Sequence, residues 1–207
     1  MTILSFHPVK HVATGEGGMV LTNSKECYEL LLLFRTHGIT RDPDHLADQN
    51  QGPWYYEMQD LGYNYRLTDI QSALGLSQLK KLDASIAERS RIAEIYRNDF
   101  CGLEWLKTPP ALEATQGRHS YHLYPVLVGK DVNRRDFFEY MRKNNIGVQV
   151  HYVPVHLHPY YQNHFGFKPG DFIQAEAFYD SEVSLPMYYG ITEGELETVI
   201  SLVKKYR

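Results

Sequence analysis

A lysine between a short apolar run and a glycine-rich turn constrains the fold more than any other stretch of this chain. Residues 2–6 are mostly apolar and are followed by Pro8, a pattern that predicts a buried strand entering a turn. The glycines of residues 15–18 permit backbone conformations closed to other residues, and a second apolar run follows at residues 19–22. The sequence therefore predicts a strand, a loop that carries Lys10, a tight turn and a second strand.

The chemistry of Lys10 has two interpretations. A lysine that is desolvated or lies beside another cation can lose its proton near neutral pH, and its amine then attacks aldehydes and ketones. The alternative is a solvated surface lysine beside a turn, which is the commoner environment of lysines.

The longer string around this lysine resembles a known cofactor segment. Residues 5–18 read Ser-Phe-His-Pro-x-Lys-x-x-x-x-Gly-Glu-Gly-Gly, which is similar to the Schiff-base lysine segment of pyridoxal-phosphate (PLP)-dependent nucleotide-sugar aminotransferases, a fold-type I family. The resemblance implies that Lys10 carries PLP and acts as the catalytic residue, and that Ser5 contacts the cofactor phosphate.

Composition favours a globular protein. The 207 residues suffice for one large or two small domains, and 43% hydrophobic residues suffice for a core. The net charge of -4, without a basic face, makes nucleic acid an unexpected partner. Two cysteines indicate a reducing compartment, and no apolar run is long enough to span a bilayer. We expect no membrane partner and a cytoplasmic location.

A helix and a long loop follow the second strand. Ser24 begins a helix whose pattern ends near residues 35–38. Residues 39–60 contain few aliphatic side chains and predict a loop of about twenty residues. Loops of this length are more often functional or disordered than simple connections between elements. The aromatic residues 54–56 favour a packed loop, because disordered segments contain few aromatics.

A capping box of Thr68 and Gln71 predicts the start of a helix that continues to residue 98. Its length of about thirty residues indicates that it either bridges two bodies or bends. Just before it, Asn64 and Arg66 offer hydrogen-bond donors beside a helix N-terminus, where anions bind. The alternative is an ordinary aromatic-rich entry into a helix. The family has a similar Gly-aromatic-Asn-aromatic-Arg-Leu segment, whose asparagine reaches the cofactor phosphate of the neighbouring subunit. The resemblance thus implies a homodimer with Asn64 donated in trans, and Arg66 as a further cofactor-binding residue.

The rest of the chain predicts a compact α/β unit. Its predicted elements are a loop through residues 109–117, a strand at 122–128, a helix at 134–144, a strand at 148–152, a helix at 172–179, a strand at 183–185 and a capped terminal helix from 192.

Histidines and tyrosines are concentrated in residues 151–161. Pro154 and Pro159 predict an extended segment, and no Cys, Asp or Glu lies between the histidines, which disfavours a zinc site. A polar cleft wall for a hydroxyl-rich ligand is the favoured interpretation, with loop packing as the alternative.

The family has a similar His-Tyr-x-Pro segment that faces the sugar. By this resemblance His151 and Tyr152 are candidate substrate-binding residues. Weaker candidates lie at residues 119–122, namely His119, Tyr121 and His122, and the alternative for His122 is an ordinary strand residue.

The resemblance covers essentially the whole chain. It implies an α/β fold corresponding to the C-terminal part of a fold-type I PLP-dependent transferase, with the end of the large-domain sheet, a long connecting helix and a small α/β domain. We expect residues 1–98 to be a remnant of the PLP-binding domain with the helix, and residues 99–207 to be the small domain. Family members are up to about twice as long, and the groups that stack on the cofactor ring and pair with its nitrogen are not found here.

The implied function is amino transfer from L-glutamate to a 4-keto-6-deoxy nucleotide sugar of the UDP-N-acetylhexosamine type. Residues 62–81 look most like the branch of the family that acts in pseudaminic acid biosynthesis, and spore-coat polysaccharide aminotransferases are also similar. Lys10 favours transamination over the dehydration of a related branch, which has histidine at that position. The alternative is a truncated, inactive C-terminal fragment that serves only as a folding or dimerisation module.

Overall fold

Backbone contacts divide the chain into two units in the computed structural model, which describes residues 1–111 and 117–207. The first unit is Met1–Leu82 and the second is Asp83–Arg207. The predicted division after residue 98 concerns the domains of the family and stays a prediction. Within the predicted loop at residues 109–117, residues 112–116 lie outside the described residues.

An antiparallel hairpin opens the first unit. Strands β1 (Thr2–Ser5) and β2 (Gly18–Leu21) pair so that Thr2 is opposite Leu21 and Ser5 is opposite Gly18. The predicted strand, loop and strand are thus confirmed. The prediction of a buried strand is wrong, because all four residues of β1 are exposed in this two-stranded sheet.

Helix α1 (Lys25–Arg35) confirms the helix predicted from Ser24, whose hydroxyl accepts a hydrogen bond from Cys27 N. The following loop contains the short pair β3 (Ile39–Thr40) and β4 (Glu57–Met58), and a 3-10 turn at Pro43–His45. The Glu57 carboxylate orders the loop, since it accepts from Ala47 N at 2.8 Å and Asp48 N at 3.0 Å. The backbone hydrogen bond from Ala47 is the largest cause that holds the pKa of Glu57 below its usual value, and the one from Asp48 is the next.

Two helices replace the single long helix that the sequence predicted. Helix α2 is Asp69–Leu79, with the predicted capping box of Thr68 and Gln71, and helix α3 is Leu82–Phe100. The helix is interrupted at Lys80 and Lys81. There Lys81 N donates to Gln78 O, three residues earlier, which is the hydrogen bond of a 3-10 turn.

A three-stranded antiparallel sheet forms the second unit, in the order β5 (Leu106–Lys107), β6 (Tyr124–Val128) and β7 (Glu182–Leu185). Its helices are α3, α4 (Arg134–Lys143), α5 (Pro159–Phe165), α6 (Ile173–Ser181) and α7 (Glu193–Tyr206). The most deeply buried apolar side chains come from α3, β6, β7, α4 and α7, and include Ile92, Tyr96, Tyr124, Val126, Phe137, Met141, Val183 and Val203.

Two predictions for the second unit are wrong. Residues 148–152 form no strand, and only Gln149 makes a bridge, to Ser184. The segment around the two prolines is not extended throughout, because Val155–Leu157 is a 3-10 turn and Pro159 opens α5. Proline fits the first helical position because its missing N–H would have no partner there.

An arginine is buried in the second unit without a carboxylate beside it among the described residues. Arg89 Nη1 donates to the carbonyls of Tyr121, His122 and Met187 at 3.0, 3.3 and 2.8 Å. These bonds tie α3 to the chain before β6 and after β7. Burial lowers the pKa of the Arg89 guanidinium.

Across residues 1–111 and 117–207, each helix is either too short or too polar to cross a membrane.

Candidate functional site

The loop that carries Lys10 folds back onto the hairpin through backbone hydrogen bonds. We call residues 6–17 the lysine loop. Phe6 N donates to Gly17 O, Thr14 N donates to Phe6 O, and Lys10 N donates to His7 O, each at 2.9 Å. The turn that contains Lys10 is therefore defined by its main chain, and the Lys10 residue is half-buried.

Helix α2 packs against this loop within the first unit. Gln71 Nε2 donates to Glu16 O at 2.9 Å, and the buried Thr14 hydroxyl donates to the same carbonyl at 2.7 Å. A Cβ atom added to Gly75 would lie 2.9 Å from Thr14 Cγ2, so helix and loop approach closely. The first two turns of α2 thereby fix the loop that presents Lys10.

Gly17 closes the lysine loop in a conformation that other residues rarely adopt. Its φ is +149°, and an added Cβ would lie 2.8 Å from both Leu67 Cδ1 and Thr14 Oγ1. Gly15 also has a positive φ, of +84°, but an added Cβ there would meet nothing within 4 Å. Two features therefore require glycine at position 17: the positive φ and the lack of space for a Cβ atom.

Ser5 lies exposed at the end of β1. Its hydroxyl oxygen accepts a long hydrogen bond, of 3.5 Å, from His7 N. The hydroxyl hydrogen stays available as a donor, which is what a phosphate-binding serine needs.

Asn64 and Arg66 lie on the segment before α2. Its backbone pairs with the end of α1, since Tyr63 N donates to Phe34 O at 2.7 Å and Tyr65 N donates to Arg35 O at 3.0 Å. Arg66 Nε donates to Asn64 Oδ1 at 3.1 Å, which points the amide nitrogen of Asn64 away from the guanidinium. Both side chains are exposed hydrogen-bond donors.

A groove of about 1220 Å³ lies in the first unit between the hairpin, α1 and the start of α2. Its lining is mainly apolar, with the cations Arg35 and Arg66. Ser5 and Lys10 are not among the lining residues.

His151 belongs to a hydrogen-bond network in the second unit. Its Nδ1 lies 2.8 Å from Ser184 Oγ, and Ser184 Oγ lies 2.5 Å from Glu182 Oε1. His151 N donates to Glu182 Oε2 at 2.8 Å. The neighbouring Tyr152 is exposed. Sequence reasoning identified His151 but assigned no role to Glu182 or Ser184, and the available signal was that these two polar residues alternate with apolar ones in a short strand.

The weaker candidates are adjacent to each other. His119 is exposed and its Nδ1 accepts from Tyr121 N at 2.9 Å. The Tyr121 side chain is buried, and its hydroxyl accepts from Arg97 Nη2 at 3.2 Å. Their roles in substrate binding stay a prediction.

His156, five residues after His151, has a different environment. Its buried ring places Nε2 2.8 Å from Glu176 Oε1, and the same carboxylate accepts from Gly170 N at 2.8 Å. The hydrogen bond from His156, followed by the Gly170 amide, lowers the pKa of Glu176. Within the described ranges no three His, Cys, Asp or Glu side chains group as metal ligands. The absence of a metal site at this cluster stays a prediction.

Comparison with known proteins identifies the family. A model described as the DegT/DnrJ/EryC1/StrS aminotransferase family matches residues 1–204. The spore coat polysaccharide biosynthesis protein SpsC of Bacillus subtilis is 38% identical over 98% of this chain and 52% of SpsC. The UDP-4-amino-4,6-dideoxy-N-acetyl-beta-L-altrosamine transaminase of Helicobacter pylori is 34% identical over 99% of this chain and 52% of the transaminase. The chain spans about half the length of the curated relatives it matches.

Solved structures agree with this result. PseC of Helicobacter pylori, an aminotransferase involved in pseudaminic acid biosynthesis, matches with a TM-score of 0.85 at 33% identity, over 98% of this chain and 52% of PseC. The PMP form of Spr1654 from Streptococcus pneumoniae, assigned as a sugar aminotransferase, matches with a TM-score of 0.82 at 28% identity, over 100% of this chain and 53% of that protein. The predicted resemblance and the predicted partial fold-type I architecture are confirmed, and the family is PLP-dependent.

Replacement of Gly17 by Ala is expected to loosen the lysine loop. Gly17→Ala should destabilise the loop by about 1–3 kcal/mol more than Gly15→Ala, because it adds overpacking to a strained φ. Hydrogen–deuterium exchange of peptides covering residues 1–22 and 68–79 measures the effect, and both peptides should exchange faster in Gly17→Ala. Equal exchange in the two variants would contradict the close contacts of Gly17 with Leu67 and Thr14.

Glu176 is expected to make part of the stability depend on pH. Its folded-state pKa lies below the ordinary value of 4.5. The ionised carboxylate therefore makes its full contribution to the free energy of unfolding above pH 4.5. This contribution is lost as the pH falls through the lowered pKa of the folded state. Urea unfolding between pH 3 and 7 should show this loss in the wild type and a flatter profile in Glu176→Gln. Glu139→Gln, which removes an exposed ion pair with Arg135, is the control and should follow the wild type.

Proposed function

We propose, since the chain belongs to the DegT/DnrJ/EryC1/StrS aminotransferase family, that it supplies the PLP-binding lysine and the small domain of a nucleotide-sugar aminotransferase. The substrate we propose is a 4-keto-6-deoxy sugar of the UDP-N-acetylhexosamine type, with L-glutamate as amino donor. The product serves a surface or spore-coat polysaccharide. The observation that carries the proposal is the lysine loop, in which hydrogen bonds and α2 hold Lys10 in a defined turn.

The side chains present fit this cofactor chemically. PLP requires a primary amine to bind its aldehyde and several donors to bind its phosphate. Lys10 supplies the amine. Ser5, Asn64 and Arg66 supply a hydroxyl, an amide and a guanidinium, which are suitable phosphate donors.

Lys10 has two roles in the proposed reaction. Its amine would hold the cofactor through the cofactor's aldehyde in the resting enzyme, and the amine of the donor would displace it. The freed Lys10 Nζ would then act as the general base that takes the proton from the substrate carbon bearing the amino group, and as the general acid that gives a proton back. PLP, when bound, withdraws electrons from that carbon and so makes the proton acidic enough to leave.

His151 and Tyr152 are proposed to contact the sugar. Imidazole and phenol groups both exchange hydrogen bonds with hydroxyls, and Tyr152 is 69% exposed, so its ring is accessible. His119 is proposed as a further contact.

The exposed apolar side chains of the first unit support a larger parent enzyme. Ile3, Met19, Leu61 and Ile70 are all exposed, and Ile3 and Met19 line the mainly apolar groove. Extensive exposed apolar surface normally packs against protein. We propose that the remainder of the PLP-binding domain covers it. The alternative, an inactive folding or dimerisation module, differs in having no defined reactivity at Lys10.

The covalent role of Lys10 can be tested by labelling. The chain is incubated with substoichiometric PLP, reduced with borohydride and mapped by peptide mass spectrometry. We expect the label on Lys10 in preference to Lys25, whose side chain is 87% exposed, because the loop and not mere accessibility directs the reaction. Lys10→Arg should remove most of the incorporation and Lys25→Arg should leave it unchanged. A label distributed according to exposure would refute the proposal and favour the inactive module.

The trans position of Asn64 can be tested in mixed dimers. Chains carrying Asn64→Ala retain Lys10, and chains carrying Lys10→Ala retain Asn64, so a mixed dimer contains one complete pair. We expect PLP labelling of the Asn64→Ala chain to rise when the two are combined. Unchanged labelling, with dimers verified by size, would show that Asn64 does not act across subunits.

A further inference from the structure

Glu182, Ser184 and His151 form a continuous hydrogen-bond relay from the core of the second unit to a cavity. Glu182 is 0% exposed and Ser184 is 4% exposed, so neither exchanges its bonds freely with water. The Glu182 carboxylate contacts His151 N with one oxygen and Ser184 Oγ with the other. His151 is thus held both at its main chain and, through Ser184, at its ring.

The hydrogens of this relay can be assigned. The distance of 2.5 Å between Ser184 Oγ and Glu182 Oε1 lies in the range of a hydroxyl donating to an ionised carboxylate. Ser184 has a single hydroxyl hydrogen, and this bond uses it. With that hydrogen used, the serine oxygen accepts from His151 Nδ1, 2.8 Å away, in the tautomer that carries hydrogen on Nδ1.

We propose that Glu182 and Ser184 are positioning residues that hold neutral His151 in the tautomer with hydrogen on Nδ1, leaving Nε2 as a hydrogen-bond acceptor for a ligand hydroxyl. The bond made by one ring nitrogen determines the state of the other. A histidine in water favours the opposite tautomer, so the relay imposes a state that the side chain would not otherwise adopt.

The cavity beside the relay gives this acceptor a place to act. It measures about 380 Å³ and is lined by His151 and Ser184 together with His122, Tyr188 and Glu195, a volume typical of small-molecule sites. An acceptor nitrogen selects a group that donates, such as a sugar hydroxyl, over an ether or carbonyl oxygen at the same place. The identification of the ligand as a sugar rests on the proposed function, whereas the tautomer does not.

The test is the ¹⁵N–¹H correlation spectrum of the histidine side chains, recorded on the whole chain without PLP or substrate. It is recorded at increasing pH until the His151 signals stop changing, and His151→Gln identifies those signals. We expect hydrogen on Nδ1 and none on Nε2. Hydrogen on Nε2 in the wild type would overturn the proposal, because the relay would then run in the opposite direction.

An isosteric variant reverses the relay. In Glu182→Gln the amide oxygen must accept from His151 N, so the amide nitrogen donates to Ser184, whose hydroxyl then donates to His151 Nδ1. We expect the tautomer to switch to hydrogen on Nε2. Glu176→Gln, the same change beside His156, should leave the His151 signals as in the wild type.

Two serine variants complete the test. Ser184→Ala removes the acceptor of His151 Nδ1, so the ratio of the two His151 tautomers should shift towards the one with hydrogen on Nε2. Ser184→Thr keeps the hydroxyl, so the tautomer with hydrogen on Nδ1 should remain the main one. An unchanged ratio in both Ser184→Ala and Glu182→Gln would refute the relay. Because no variant touches Lys10 and no measurement needs PLP, failure here is distinguishable from failure of the proposed function.

Discussion

Burial of aromatic side chains in the second unit is the interaction on which its functional geometry depends. Tyr96, Tyr124 and Phe137 are fully buried, and the rings of Tyr96 and Tyr124 lie 5.0 Å apart. Full burial of an apolar side chain such as that of Phe137 contributes about 1.5–3 kcal/mol. Because β7 lies in the same core, its polar residues Glu182 and Ser184 are buried with it and must find hydrogen-bond partners inside the protein. The orientation of His151 is thus a consequence of core packing around β7.

In the first unit, hydrogen bonds and not apolar burial position Lys10. Thr14 is the one buried side chain among its described residues, so apolar burial does little to place Lys10. Hydrogen bonds do so instead. The main chain of the lysine loop closes on the hairpin, and Gln71 of α2 bonds to Glu16. Such a loop can be well defined by its hydrogen bonds while the apolar surface around it remains exposed.

Local signals predicted the structure well where the cause is local. Ser24, Thr68 and Thr192 each cap the helix that follows them, as the sequence indicated, because a cap depends on only a few neighbouring residues. The length of the predicted helix indicated that it bridges two bodies or bends, but the position of the break between α2 and α3 could not be predicted, since the apolar periodicity continues through it. The difference between the two helices is the burial of their apolar side chains, since Ile70 of α2 is exposed and Ile92 of α3 is buried. The apolar periodicity of a sequence does not show whether the apolar face is covered. Pro159 is compatible with an extended segment and equally with the first position of a helix, so the sequence alone does not distinguish the two.

The histidine cluster shows most clearly what sequence proximity cannot establish. His151 and His156 are close in the chain, but their partners come from β7 and α6, respectively. Glu176 bonds a buried ring and also caps the backbone at Gly170, so His156 fastens its segment to α6. Glu182 acts through Ser184 on a ring that borders a cavity. The two histidines therefore have different environments, because Glu176 contacts the ring of His156 directly, whereas Glu182 contacts the ring of His151 only through Ser184.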